Sequence, residues 1–194
     1  MAPHCETSPD RAPTRPGPWL DGPWLDSDPV HPDLRAAKAL VHDPCGFTCT
    51  RPVPEAESAE YAAHTFTLDG RRVRFRAART TPTKAGQFVT VWKRSAGGPI
   101  QPFDAADPVD LFVISTRNGD RLGQFVLPVD VLRRHGVVSV NGTGGKRAFR
   151  VYPPWVTTTN RQAGSAQAWQ LDHFLSLPQD GPVDLARARE LYRA

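Results

Sequence analysis

Residues 70–94, GRRVRFRAARTTPTKAGQFVTVWKR, restrict the possible fold more than any other stretch of the chain. They hold eight Lys or Arg and no acid. Val73, Phe75 and Ala77 alternate with Arg72, Arg74 and Arg76, and a side-chain period of two is that of a half-buried strand. A Thr/Pro/Lys/Gly turn over residues 80–86 leads to a second apolar run, Phe88-Val89-Thr90-Val91-Trp92, which ends on Lys93-Arg94. One face of such a ribbon packs and the other carries guanidinium groups. Neighbouring cations repel, so they must stay solvated, pair with distant acids or meet a polyanion.

The placement of charge says more than its sum. Net charge is only +4, yet residues 70–103 and 131–171 contain no Asp or Glu and carry 14 of the 24 Lys and Arg. Packed side by side, the two segments would form a positive face that attracts phosphate polymers. The candidate nucleic-acid contacts are Arg76, Lys84, Trp92, Lys93 and Arg94 in the first segment, and Lys146, Arg147 and Arg150 in the second. Trp92 offers a stacking plane. The NGTGG loop at residues 141–145 lacks the Lys-Ser/Thr ending and following helix of a phosphate-binding P-loop, and reads as a surface hairpin. Arg150, Tyr152, Trp155, Asn160, Gln162, Gln167 and Gln170 form a polar-aromatic set; Gln167 and Gln170 share a helix face, and Gln162 and Gln170 are expected to tie the Pro153-Pro154-Trp155 loop to the following helix. No nucleophile elbow supports Ser/His/Asp catalysis.

The expected organisation is one domain over residues 33–177, preceded by a disordered tail (1–32) and followed by a peripheral polar helix (178–194). The tail holds eight of the chain's 20 prolines, which remove backbone donors. It contains a tandem repeat, GPWLD at residues 17–21 and again at 22–26. Its Trp19-Leu20 and Trp24-Leu25 pairs could dock on the domain itself or on a partner protein, or mark a duplication without function. Helices are expected at residues 33–41, 128–136 and 160–175. Strands are expected at 64–68, 72–78, 87–93, 110–116, 122–127 and 148–152, with an Asp69-Gly70 hairpin. DLFVIST at 110–116 is nearly continuous in apolar residues, as in a central strand covered on both faces. The fold class is therefore α/β with α+β character, a mixed central sheet flanked by helices.

No apolar run approaches the roughly 20 residues that span a bilayer. MAPHCETSPD lacks an apolar leader core, so a cytoplasmic protein is expected. Cys5, Cys45 and Cys49 are too few for a disulfide framework. Cys45 and Cys49 near His42 and His64 lack a fourth ligand at finger-like spacing, so no metal is expected.

Several uncommon residues recur in order: Glu60-Tyr61, Phe75-Arg76, Thr81-Pro82, Lys84, Gly86, Phe88-Val89 and Trp92-Lys93-Arg94. Pro102-Phe103-Asp104, Asp110, Gly123-Gln124-Phe125, Gly145-Lys146-Arg147-Ala148, Arg150 to Trp155, Gln162-Ala163, Gln167, Trp169-Gln170 and Phe174 follow. In these, residues 33–177 resemble the MepB family of small bacterial proteins. That resemblance implies a restriction-endonuclease-like α/β fold, and with it nucleic acid. A nuclease of that fold needs strand-borne carboxylates to hold Mg²⁺ and a lysine two residues after one of them. Lys93 stands at a plausible position, but Val91 precedes it where an acid is needed, and the first strand offers Arg76 and Arg79. Binding without cleavage is therefore the leading expectation, with no cofactor. The alternatives are a divergent Mg²⁺-dependent nuclease centred on Glu60, Asp110 and Lys93, and a protein-interaction module.

Overall fold

The computed structural model describes Trp24, residues 28–94 and residues 97–193. The chain opens with α1 (Pro32–Ala37), which runs through a π-helical turn (Lys38–His42) into α2 (Asp43–Cys45). Then come β1 (Val53–Pro54), a 3-10 turn (Ala59–Tyr61), β2 (His64–Leu68), β3 (Arg71–Ala77), β4 (Arg79–Thr81), β5 (Lys84–Thr90), β6 (Trp92–Arg94) and β7 (Ile100–Pro102). The long strands β8 (Leu111–Asn118) and β9 (Arg121–Pro128) are followed by α3 (Val129–Arg134) and β10 (Ala148–Val151). The chain closes with α4 (Arg161–Leu171), β11 (Phe174–Ser176) and α5 (Leu185–Arg193).

Six strands form a mixed sheet in the order β1-β2-β3-β8-β9-β11, in which only β3 and β8 run parallel. A second, antiparallel sheet, β10-β5-β4, and the β6-β7 ribbon complete the strands. This is the α/β architecture with a mixed central sheet that the sequence suggests. β8 explains its apolar run: residues 111–116 are all buried. Leu111 and Val113 pack with Leu34, Val41 and Leu191 from α1, the π-helical turn and α5. Phe112 and Ile114 pack on the opposite face with Leu132 of α3, Val89 of β5 and Val151 of β10. Asp69 and Gly70, at φ 48° and 80°, supply the left-handed pair that a two-residue hairpin requires. Asp33, buried near the start of α1, accepts from Ser115 Oγ at 2.9 Å and from Arg117 at 2.6 Å, fastening the helix to β8.

Three expectations are corrected. The strand expected at residues 87–93 breaks after Thr90: β5 stays with β10, while β6 leaves to pair with β7. The helix expected at 160–175 stops at Leu171, because residues 174–176 instead complete the edge of β9, where the rings of Phe174 and Phe125 lie 4.9 Å apart. The C-terminal helix is not peripheral. Ala188, Leu191 and Tyr192 recur at helical spacing and are buried, Tyr192 completely, and its hydroxyl donates to Gln124 Oε1 at 2.9 Å. Full burial of each large apolar side chain is worth about 1.5–3 kcal/mol.

Contacts also cross the boundary expected at residues 32–33. The Trp24 indole N–H donates to the Thr50 carbonyl at 3.0 Å and its ring meets Phe66 edge-on. Asp28 is buried and paired with Arg51. One tryptophan of the repeat thus docks on the chain's own domain; Trp19, Leu20 and Leu25, with the rest of the expected tail before residue 24, lie outside the described residues. Among the described residues, no helix is long and apolar enough to cross a membrane.

Candidate nucleic-acid interface

β5 and β10 pair from Ala148↔Thr90 to Val151↔Gln87, so the two acid-free segments meet as one ribbon. Between this ribbon and α4 opens a cleft of about 580 Å³ with no Asp or Glu in its lining. Lys84, Lys146 and Arg150 all line it. Lys84 and Lys146 are exposed and form no ion pair among the described residues. Arg150 is held more firmly: one Nη donates to Thr81 Oγ1 at 2.7 Å, and the guanidinium lies 5.7 Å from the centre of the Phe88 ring.

The far wall is set by α4. Asn160 caps it, its side chain accepting from the Ala163 N–H at 2.9 Å, and the first turn carries no acid. Gln170 fixes the spacing between wall and ribbon: its Oε1 accepts from the Tyr152 N–H and its Nε2 donates to the Arg150 carbonyl, each at 2.9 Å. Gln167 Nε2 donates to the Val156 carbonyl at 2.8 Å. Gln170 therefore ties the Pro-Pro-Trp loop to the helix as expected, but its companion is Gln167 and not Gln162, which stays exposed in the cleft. His135, just beyond α3, stacks on Trp169 with centroids 4.1 Å apart and planes 9° from parallel. Burial, then the Arg134 and Lys146 charges, hold its imidazole below the ordinary range, so it is neutral at pH 7. Gly86 lies at φ +75°, where a Cβ would stand 2.6 Å from the Tyr152 ring.

The remaining predicted contacts stand elsewhere, and two of them, Arg76 and Lys93, are paired with acids. Arg76, Trp92, Lys93 and Arg94 line a second cavity of about 280 Å³ together with Glu55, Glu57, Arg74 and Asp107. Glu55 accepts from Arg76 Nη1 at 2.6 Å and also pairs with Arg74. Burial pushes both guanidinium groups down to about 10, which leaves them protonated at neutral pH. Arg76, expected at a phosphate surface, is 1% exposed and is committed to this interior pair. Lys93 pairs with Asp107, and Arg94 lies over the Trp92 ring at 5.7 Å. Arg147 is exposed, in neither cavity, and its carbonyl accepts from the Val91 N–H at 2.8 Å. The NGTGG loop already has its anion. Asp104 accepts from the Gly142 N–H at 2.9 Å and from Ser139 Oγ at 2.7 Å, bonds that, with the Ala106 N–H, hold its carboxyl down at about 2.

Glu60, Asp110 and Lys93 are not assembled into one centre. Glu60 is exposed in a cavity beside Arg79 and Arg117. Asp110 is held by Arg72 through two bonds of 3.0 Å, which lower its pKa, and lines a different cavity. Lys93 lines a third. These residues do not fit a Mg²⁺ ion, which needs oxygen ligands converging at about 2.1 Å. Among the described residues, no group of three or more His, Cys, Asp or Glu could hold a metal ion. The sulfur and imidazole groups considered for zinc are occupied separately: Cys45 is buried, His42 packs edge-on against Tyr192, and His64 faces the carbonyls of Ala62 and Pro29.

Sequence reasoning missed Glu55, Asp107 and His135. Glu55 and Asp107 lie outside the acid-free segments in sequence and enter beside them only through the fold. His135 follows a short helix with no spacing that marks it.

The MepB-like family model matches residues 55–176. A crystal structure of MepB is 32% identical and superposes with a TM-score of 0.64 over 69% of this chain and 88% of that one. A bacterial homing endonuclease is 18% identical, with a TM-score of 0.38 over 71% of this chain and 82% of its own, too distant a likeness to bring its chemistry with it. No curated protein matches. By the extent of the model match and the identity to MepB, the chain belongs to the MepB-like family.

Proposed function

We propose that this protein binds nucleic acid through the cleft between the β5–β10 ribbon and α4, without cleaving it. The observation that carries this is an acid-free cleft of about 580 Å³ whose rim holds two exposed lysines, Lys84 and Lys146, that no acid of the described chain neutralises. An ammonium with no internal partner gains from a phosphate and releases the counterions condensed on the polymer, which makes such binding steeply salt-dependent. Arg150, braced by Thr81 and Phe88, adds a fixed positive charge between them. The Lys93 cavity is a poorer candidate, because Glu55, Glu57 and Asp107 share it with the cations.

The test is fluorescence anisotropy of labelled oligonucleotides titrated with protein at several salt concentrations. The wild type is expected to lose affinity linearly in log salt. Lys84→Ala and Lys146→Ala should each weaken binding and flatten the slope by about one unit. Absence of binding at low salt, or a double variant with wild-type affinity and slope, refutes the assignment. Adding Mg²⁺ to the same samples and resolving them on a gel tests for cleavage; intact oligonucleotide is expected.

A further inference from the structure

We infer that the cleft takes an unstacked base of a single-stranded nucleic acid, with the flanking phosphates on Lys84 and Lys146, rather than the side of a duplex. This rests on the nucleic-acid reading above and specifies its ligand. A recess of about 580 Å³ falls in the size range of pockets that enclose a small-molecule-sized ligand. Duplex DNA presents convex rows of phosphates and keeps its bases stacked inside, so it can touch the rim but fill nothing. A single strand can turn one base inward.

The lining suits a base. His135 and Trp169, both in the lining of the cleft, stack face to face, so the exposed imidazole covers one face of the indole and its own outer face serves as the stacking platform. Base–aromatic stacking tolerates any sequence because every base has a π-face. Gln162, exposed on the same wall, has no side-chain partner among the described residues and offers both a donor and an acceptor to a base edge. Gln170 cannot serve, since both ends of its amide are engaged by backbone. Positive charge lies at the rim and π-surface within, the division a single strand requires.

The experiment uses the full chain and three labelled probes of about 12 nucleotides, within the range that such sites cover: oligo(dT), oligo(rU) and a blunt duplex. Tighter binding to at least one single strand than to the duplex is expected; comparison of dT with rU separates DNA from RNA. His135→Ala should weaken single-strand binding roughly 5- to 150-fold, the worth of one stacked base, leave duplex binding unchanged, and be rescued by His135→Phe. Equal binding of duplex and single strands, or an unaffected His135→Ala variant with wild-type thermal stability, overturns the base-in-cleft inference. In that case, loss of binding in Lys84→Ala/Lys146→Ala still upholds nucleic acid as the ligand. No binding of any probe overturns both.

Discussion

Glu55 is the interior residue on which two cations depend, and its replacement by Gln tests the reading of the second cavity as a closed ion-pair network. The Glu55 side chain is 13% exposed, Arg76 1% and Arg74 24%. Apart from Glu55, the Arg76 guanidinium reaches the Phe75 carbonyl at 2.8 Å, and its Nε has no partner among the described residues. Removing the carboxylate charge therefore strands a desolvated guanidinium, a change that costs about 3–5 kcal/mol when one member of a buried pair is lost. Arg74 can turn to water, so the lower end, about 3 kcal/mol, applies. In a domain of this size that corresponds to a fall in Tm of about 6–12 °C. Urea unfolding at pH 7, with an unchanged m-value, measures it. Glu55→Leu combined with Arg76→Met removes both charges and should recover most of the loss, because an apolar pair needs no solvation. A Glu55→Gln variant within about 1 kcal/mol of wild type, or a double variant no better than the single, refutes the reasoning.

Three further outcomes follow from the same geometry. Burial holds His42 down at about 4, from an ordinary 6.5, so the fold favours its neutral form. Its contribution is complete above pH 6.5 and is lost as pH falls towards 4, about 3 kcal/mol in all. Urea midpoints of His42→Gln should thus change less between pH 7 and pH 4 than those of wild type, and parallel profiles would contradict this. Gly86→Ala, at φ +75° and against the Tyr152 ring, should destabilise by about 1–3 kcal/mol in the same assay; a change below about 0.5 kcal/mol contradicts the crowding. Trp24→Ala should cost about 1–2 kcal/mol in the same assay through lost contact with Phe66 and the lost bond to Thr50. A change below about 0.5 kcal/mol would mean that Trp24 does not help to hold the domain.

The four inner strands of the central sheet, β2, β3, β8 and β9, are legible in the chain because burial pattern is local. Val73 and Phe75 alternate with arginines, residues 111–116 are apolar without interruption, and Asp69-Gly70 closes a hairpin. Elements that depend on a distant partner are not. Residues 174–176 have helical spacing with what precedes them, yet they join β9, whose edge needs backbone partners. The terminal helix looks polar, because three of its residues suffice to seal the core.

The candidate site divides in the same way. Residue order alone establishes two basic segments, which residues they hold, and the absence of any nearby acid in sequence. Whether those cations are available is a question of three-dimensional distance, since charges interact through space and not along the chain. Glu55 and Asp107 return to Arg74, Arg76 and Lys93 through the fold, and two of the eight predicted contacts, Arg76 and Lys93, become internal pairs. Lys84 and Lys146 meet no acid among the described residues, because β5 and β10 pair across from a helix whose facing side is amide and aromatic. Burial and pairing are sums over neighbours brought from far along the sequence, and only the folded chain completes them.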